Sequence, residues 1–218
     1  MRHITTYIKI QKVLGFVFRN RAFQARAKRL QERENLELGC GPNPKKGFVN
    51  LDYRWRPGVD VVWDLLKPLP FPGNRFKGIF TEHCLEHFDL QQLEKIVFEI
   101  HRILMPSGTV RIVVPDLALY AEAYSKRKSG QTCQHMEKLG TSHAMNRVFY
   151  SGHDWMKSSR WINDGHHFIH DFESISGILH DSGFSRIEQC SFHKGKCAPL
   201  LVDSPDRAWE SLYVEAVK

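Results

Sequence analysis

Short apolar segments bounded by turn residues recur along most of the chain. Segments 36–38, 47–52, 59–65, 78–81, 109–114, 185–192 and 211–217 are typical of β-strands, because they are short and lie between Gly, Pro, Asn, Asp or Ser. Residues 90–104 and 172–179 instead carry apolar side chains at spacings of three and four, which predicts helices capped by Asp89 and Asp171. The pattern therefore predicts an α/β domain.

Residues 7–30 have the spacing of a further amphipathic helix. Tyr7, Ile10, Leu14 and Phe18 recur every three or four residues, and the basic residues lie largely elsewhere. Residues 1–33 contain nine lysines and arginines and one acidic residue. We interpret residues 1–33 as a basic amphipathic helical arm that packs on the domain edge, contacts an anionic membrane or an acidic partner, or serves in targeting. Liposome association of a chain lacking residues 1–28 would test the membrane contact.

Composition argues against several other classes of protein. Beyond residue 33 the acidic and basic residues nearly balance, so nucleic acid is not an expected partner. The five cysteines form no C-x-x-C pair, which predicts a cytoplasmic, reducing location and neither a disulfide framework nor a zinc site. The longest apolar run near the start, residues 13–18, is shorter than a signal-peptide core or a membrane span.

The first predicted strand ends at a turn that contains Gly39 and Gly41. Glycine lets the backbone bend sharply and approach a ligand, and ligands of open parallel sheets bind at the carboxyl ends of the strands. Pro44 occupies the third glycine position of the dinucleotide fingerprint, and Asp52 follows Gly39 by only thirteen residues. A pyrophosphate site, and with it a nicotinamide oxidoreductase, is therefore disfavoured. We expect a very short helix, or a loop, between the first two strands.

Five segments, in this order, resemble the class I S-adenosylmethionine (SAM)-dependent methyltransferases, and the type 11 group in particular. They are E-L-G-C-G at 37–41, the acid at 52, D-L at 64–65 with L-P-F-P-G-N-R-F after it, E-H-C-L-E-H at 82–87, and P-S-G at 106–108. The resemblance implies a Rossmann-like fold with a seven-stranded, mostly parallel sheet, whose last strand runs antiparallel between the fifth and the sixth. It also implies S-adenosyl-L-methionine as the cofactor.

The resemblance assigns the cofactor to residues at the ends of the first four strands: Glu37, Gly39, Cys40, Gly41, Asp52, Asp64, Leu65, Glu82 and His83. The glycine turn would admit the methionine portion, and Glu37 would help to hold its ammonium group. Asp52 would bind the ribose, and Asp64 with Leu65 the adenine. Residues 34–218 would form the methyltransferase domain, and residues 117–165 a substrate-covering lid, since loops of this length are usually functional.

A hydroxyl acceptor requires a general base, because a neutral hydroxyl is a poor nucleophile. His87 and Asp116 are the candidate catalytic residues, since both follow central strands, and His143 and His166 are alternatives. His166 and His170 would share one face of a helix, but no acid stands at the H-E-x-x-H spacing. No metal site is therefore predicted.

The most similar subgroup consists of small predicted methyltransferases associated with bacterial cell-surface polysaccharide synthesis. It shares the short link between strands one and two, the V-P-D-L end of strand five and a W-E-S-L-Y-V-E-A-like last strand. The resemblance implies methyl transfer to a small-molecule or glycan acceptor, with O-methylation of a surface-polysaccharide sugar or precursor as the leading hypothesis. A non-catalytic SAM-binding member of a glycan-assembly complex is the alternative.

Overall fold

A seven-stranded sheet forms the centre of the computed structural model, which describes residues 11, 13–132 and 166–218. Its strands are β1 (Asn35–Leu38), β2 (Phe48–Asp52), β3 (Val61–Val62), β4 (Phe76–Glu82), β5 (Leu104–Pro115), β6 (Ser185–Cys190) and β7 (Ser211–Val217). The order is β3-β2-β1-β4-β5-β7-β6. Strands β1 to β5 run parallel, and β7 is antiparallel to both of its neighbours. The predicted Rossmann-like sheet, with its antiparallel last strand, is confirmed.

Besides an N-terminal helix that covers the described residues 11 and 13–18, the structure contains α1 (Leu90–Ile103), α2 (Leu117–Lys128) and α3 (Phe172–Asp181). Asp89 caps α1, because its Oδ1 accepts from the backbone N–H of Gln92 at 2.9 Å while the Gln92 side chain accepts from the Asp89 N–H. Asp171 and Ser174 cap α3 in the same reciprocal way. Both predicted caps are confirmed. Short 3₁₀ helices cover Ala22–Arg26, Lys28–Leu30, Leu85–His87, Ala198–Leu200 and Pro205–Arg207.

The connection between β1 and β2 is made of turns. Residues 39–47 contain no helix, as expected from the short spacing between Gly39 and Asp52. Asn50 fixes this connection from β2, because its side-chain amide accepts from the N–H of Lys45 at 3.1 Å and donates to the Lys45 carbonyl at 3.1 Å. The turn is therefore held by side-chain hydrogen bonds where a crossover helix would ordinarily lie.

Both faces of the sheet are buried. On one face Ile79, Ile112 and Val214 share a core with apolar residues of α1 and α3. On the other face Phe80 and Val113 pack with Leu200, which lies in the connection between β6 and β7. Strands that are buried on both sides appear in a sequence as nearly continuous apolar runs, as 109–114 does. This connection therefore covers the second face in the way that the helices cover the first.

Arg111 is the one charged residue in the buried part of β5, and it lies on this second face. Its Nε and Nη2 donate to the two carboxylate oxygens of Asp203 at 2.7 and 2.6 Å, and its Nη1 donates to Glu215 Oε1 at 3.0 Å. Burial alone would lower the pKa of Arg111, but the two acids raise it, so the guanidinium stays charged. The ion network fixes the β6–β7 connection on the sheet.

The predicted helix over residues 7–30 is wrong in its extent. Among the described residues the helix ends at Phe18, and two 3₁₀ turns follow it. Asn20 has a φ of 60°, its N–H donates to the Val62 carbonyl at 3.0 Å, and its Oδ1 accepts from the Asp64 N–H at 3.0 Å. These bonds tie the segment to the edge strand β3 and override its helical spacing.

Membrane contact by residues 7–30 stays a prediction. Residues 1–10 and 12 lie outside the described residues. Phe16 and Phe23 are exposed, as such a contact would require. Within 13–132 and 166–218 every helix is too short or too polar to cross a bilayer.

Two predicted strands differ most in length from the structure. The edge strand β3 has two residues, where 59–65 was predicted, and β5 begins at Leu104 and not at 109. In β5, Ser107 has a φ of 64°, and the register with β4 shifts between Phe76 and Gly78, so the strand resumes after an irregularity.

The predicted lid over 117–165 stays a prediction. Its first twelve residues form α2, and 133–165, including His143, lie outside the described residues.

Asp203→Ala should destabilise the fold by about 3–5 kcal/mol, because it leaves the buried Arg111 guanidinium without its bidentate partner. Urea unfolding followed by circular dichroism measures this loss. Asp206→Ala is the matched control in the same connection, and its exposed side chain predicts a change within about 0.5 kcal/mol. Equal stability of the two variants would contradict the stabilising role of the network.

Candidate functional site

The turn after β1 and the turn after β4 are in direct contact. Gly39 has a φ of +70°, and a Cβ at this position would lie 2.3 Å from Cys84 Sγ. Its N–H and that of Cys40 donate to the Leu51 carbonyl at 2.9 and 3.1 Å. Glycine is therefore required at position 39 both by the backbone conformation and by the approach of Cys84. The carboxyl ends of β1, β2 and β4 meet here.

Asp52, at the end of β2, bonds the glycine turn directly. Its Oδ2 accepts from the N–H of Gly41 at 2.8 Å, and its Oδ1 accepts from the N–H of Arg54 at 2.7 Å. An ionised carboxylate offers about four acceptor positions, so Asp52 retains capacity for hydroxyl donors. The expected proximity of Gly41 and Asp52 is present.

Asp64 and Leu65 follow the adjacent strand β3. The backbone N–H of Trp63 donates to the Asp52 carbonyl at 2.9 Å, which brings this segment beside β2. Asp64 Oδ1 accepts from the N–H of Leu66 at 3.0 Å, while Leu65 is buried. The two acids that the sequence singled out therefore lie at the ends of neighbouring parallel strands, on the same rim as the glycine turn.

Glu37 is a buried carboxyl group beneath the turn. Its Oε2 accepts from the N–H of Lys45 at 2.8 Å. Burial raises the pKa of Glu37 to about 7, against the lowering effect of the Lys45 amide and ammonium. Nearby Glu82 and Asp52 raise the pKa further. Glu37 can therefore change its charge near neutral pH when a cation approaches.

Glu82 and His83, at the end of β4, bond to the β6–β7 connection. The two oxygens of Glu82 accept from the N–H and the hydroxyl of Ser204 at 2.7 and 2.6 Å. His83 Nε2 lies 2.9 Å from Ser211 Oγ, and Arg207 donates to its Nδ1 at 3.1 Å. The structure thus uses the polar atoms of both residues to hold this connection, and their predicted contact with a cofactor stays a prediction.

Cys40 and Cys84 lie in the two turns as neutral thiols. Burial raises the pKa of both thiols well above the usual range, and the neighbouring carboxylates add to the effect. Neither is activated as a nucleophile, so their contribution to the site is shape.

Glu86 is fully buried among three histidines. Its Oε1 lies 3.4 Å from His83 Nδ1 and 3.9 Å from His166 Nε2. Burial would raise the pKa of Glu86, but the proximity of His83, His87 and His166 outweighs it and lowers the pKa to about 2. Burial lowers the pKa of His166. The cluster is thus a carboxylate faced by imidazoles.

His166 and His170 do not share a helix face, because residues 166–170 contain no helix and α3 begins at Phe172, after the predicted cap Asp171. The N–H groups of His167 and Phe168 donate to the Glu86 carbonyl at 2.8 and 3.3 Å, which holds the segment against the turn after β4. His166 consequently faces Glu86 and His87, with its ring centroid 5.2 Å from that of His87. Sequence spacing gave no sign of this meeting.

Asp116, the other candidate base, caps α2. Its Oδ1 accepts from the N–H of Ala118 at 2.9 Å, and it forms a parallel bridge with His170. Burial lowers the pKa of His170 to about 4, so this imidazole is neutral at pH 7 and lies 3.3 Å from Ser174 Oγ. Asp116 therefore has a structural role at the end of β5 that is compatible with proton transfer but does not require it.

Sequence reasoning missed the contribution of the β6–β7 connection to the site. Ser204 bonds Glu82, and Lys45 Nζ lies 3.3 Å from Ser204 Oγ and 3.7 Å from Glu82 Oε2. A signal was present in Arg111, a lone charge in an apolar strand, which required an acidic partner from elsewhere in the chain.

Comparison with known proteins agrees with this arrangement. The family described as "Methyltransferase domain" matches residues 40–112, from the glycine turn to β5. A SAM-dependent methyltransferase structure from Archaeoglobus fulgidus has 16% identity and a TM-score of 0.50, over 90% of this chain and 93% of that one. A possible histamine N-methyltransferase from Thermotoga maritima has 16% identity and a TM-score of 0.48, over 100% and 97%. No curated protein sequence matches the chain.

The A. fulgidus structure confirms the Rossmann-like methyltransferase fold. The match to residues 40–112 covers Gly41 of the glycine turn, Asp52 and Asp64 at the strand ends and the segment after β4. The match to a methyltransferase domain, together with the shared fold, supports a methyltransferase enzyme with S-adenosyl-L-methionine as its cofactor.

Gly39→Ala should destabilise the protein by more than Gly130→Ala does. Both glycines have positive φ, +70° and +73°, so an added methyl group strains each backbone similarly, by about 1–2 kcal/mol. A Cβ at Gly39 also meets Cys84, whereas none of the described residues lies within 4 Å of one at Gly130. Thermal unfolding of both variants measures the difference, and equal shifts would show that the contact with Cys84 is unimportant.

Proposed function

We propose that the protein transfers a methyl group from SAM to a hydroxyl group of a small-molecule or glycan acceptor. The observation that carries this proposal is the set of titratable groups beside the glycine turn, where Glu86, His87 and His166 converge and Asp116 ends the next strand. A hydroxyl must lose its proton during methylation, so an acceptor site with proton-accepting side chains suits this chemistry.

The residues at the strand ends fit SAM in kind and in position. Gly39 lets the turn close against Cys84, and the open space beside Gly41, where the nearest atom to an added Cβ is the Gly39 carbonyl oxygen at 4.0 Å, leaves room for the methionine portion. The buried Glu37 carboxyl can compensate its ammonium group. Asp52 can accept from ribose hydroxyls while it bonds Gly41. Asp64 and the apolar Leu65 suit the amine and the ring of adenine. Cys40, Glu82 and His83 complete the proposed cofactor shell from the two adjoining turns.

SAM supplies an electrophilic methyl group on a sulfonium, and the sulfur keeps the bonding electrons when the methyl group leaves. The protein contributes mainly position, since the methyl group is already activated. The acceptor oxygen forms the new bond, and its proton passes to His87 or Asp116. Glu86 stands beside His87 and would stabilise the imidazolium that forms there.

The acceptor we favour is a sugar of a bacterial surface polysaccharide or its precursor. This rests on the sequence resemblance to the polysaccharide-associated subgroup. A cytoplasmic location is proposed with it, because Cys40, Cys84, Cys190 and Cys197 are free thiols, as in reducing compartments.

His87→Gln or Asp116→Asn should lower kcat at saturating SAM by at least about tenfold, since general-base catalysis typically contributes 10²–10⁴-fold. The measurement is formation of S-adenosylhomocysteine with polysaccharide precursors as acceptors, and Asp181→Asn, at the exposed end of α3, is the control. If neither variant is slowed, the base lies elsewhere. SAM binding without product on any glycan extract would favour the non-catalytic alternative.

SAM affinity should weaken as the pH falls below about 7 because of Glu37. The pKa of this carboxyl is about 7 without ligand, and a bound ammonium favours the ionised form, so binding below that pH must release a proton. The loss should approach about tenfold per pH unit. Calorimetry across about pH 5.5–8 on wild type and Glu37→Gln gives an affinity ratio that isolates this effect.

The variant cannot ionise at position 37, so titration of the SAM amine itself cancels in the ratio. A ratio that stays constant over the whole range would show that Glu37 does not respond to the cofactor.

A further inference from the structure

The Glu86 carboxylate has imidazole neighbours but lacks the hydrogen bonds that a buried charge normally has. It is completely buried, and within the described part of the chain neither of its oxygens makes a hydrogen bond. Its nearest imidazole nitrogens, on His83 and His166, lie at 3.4 and 3.9 Å, beyond good hydrogen-bond geometry. Buried charges are normally paired and hydrogen-bonded or coordinate a metal ion, so this carboxylate requires an explanation.

Three potential ligand atoms converge at this point. One oxygen of Glu86 and one ring nitrogen each of His87 and His166 all lie within 4.8 Å of one another. Glu86 and His87 belong to the 3₁₀ helix Leu85–His87, and His166 comes from the segment before α3. The backbone bonds from His167 and Phe168 to the Glu86 carbonyl fix the two segments relative to each other. The convergence is thus a product of two anchored segments.

The donor set identifies the class of ion. Two imidazoles and one carboxylate form the three-ligand set of catalytic zinc sites, and imidazole ligands select transition ions over magnesium or calcium. Ligand atoms around tetrahedral zinc lie roughly 3.4 Å apart, given bonds of about 2.0–2.1 Å. The Glu86–His166 separation of 3.9 Å is close to this value. Small side-chain rotations would bring all three atoms into range.

We propose that Glu86, His87 and His166 bind a zinc-class divalent ion beside the glycine turn. Its open coordination position would receive the acceptor hydroxyl and lower the pKa of that group. This acceptor role rests on the proposed methyl transfer, whereas the ion site itself does not. With the ion bound, His87 is a ligand, and the proton of the acceptor passes to Asp116.

The proposed ion site lies next to the glycine turn, because a short stretch of chain joins the two. Cys84, which would meet a Cβ at Gly39, immediately precedes the 3₁₀ helix that carries Glu86 and His87. His83, one residue earlier, is held by Ser211 and Arg207 and so fixes the start of the segment. An ion here would sit close to the transferred methyl group without replacing any residue proposed to bind SAM through the glycine turn.

Zinc titration of chelator-treated full-length protein, without SAM, tests the ion site. Calorimetry should show one equivalent bound, and Co²⁺ should give the visible absorption of a nitrogen- and oxygen-ligated tetrahedral site. His166→Ala should weaken zinc binding by at least about a hundredfold, since even outer-shell changes cost 10–100-fold. Glu86→Gln should do the same, and His166→Ala, at the edge of the cluster, decides the outcome if Glu86→Gln fails to fold.

His180→Ala is the matched control. His180 also lies 3.4 Å from a carboxylate, that of Asp181, but on the surface, with 81% of its side chain exposed. It should leave zinc binding unchanged. Absence of stoichiometric binding would overturn the proposal, as would binding that survives His166→Ala or falls equally in His180→Ala. SAM affinity is measured separately on the same proteins. This second measurement distinguishes a failure of the ion site from a failure of the methyl-transfer proposal.

Discussion

The ion network of Arg111 is the interaction on which the second face of the sheet depends. A charge in the middle of β5 would be intolerable without Asp203 and Glu215, and satisfying it requires the β6–β7 connection to return across the sheet. Ser204 follows Asp203 directly and bonds both oxygens of Glu82 at the end of β4. Lys45 then joins this pair to the turn above Glu37. One buried guanidinium thus sets the position of a segment that reaches the cofactor rim.

The rim at the carboxyl ends of the strands is shaped by a connection between β1 and β2 that contains no helix. Where a dinucleotide-binding sheet has a crossover helix whose N-terminus faces phosphate, this chain has turns held by Asn50 and Asp52. What remains at the rim is carboxylate, glycine backbone and apolar surface. Such a lining suits a ligand that is cationic at one end and carries hydroxyl and amine donors at the other. SAM has these properties and carries no phosphate, so the short connection between β1 and β2 is a selective feature and not a defect.

Local sequence predicted those parts of the structure that local physics determines. Alternating apolar residues gave the strands, Asp89 and Asp171 gave the helix starts, and the acid at the end of β2 lies beside the glycine turn as expected. The prediction of one helix over residues 7–30 failed because Asn20 forms hydrogen bonds with β3 and its neighbour instead of helical ones. This is a tertiary effect, which the spacing of apolar residues does not reveal. The meeting of Glu86 with His166 was equally invisible, since eighty residues separate them and backbone bonds from His167 and Phe168 bring them together.

Burial of Glu86 gives the clearest indication that the segment after β4 is shaped for chemistry. If position 86 had a structural role alone, an apolar residue would serve it with a smaller loss of stability. Burying an ionised carboxylate without hydrogen bonds has a large free-energy cost. Neighbouring histidines can offset that cost only with a positive charge, either as imidazolium or as ligands of a cation. Burial lowers the pKa of His166 and opposes its protonation, so the charge comes from another neighbouring group or from an ion. In each case the positive charge lies next to the glycine turn, where the hydroxyl acceptor that we propose would lose its proton.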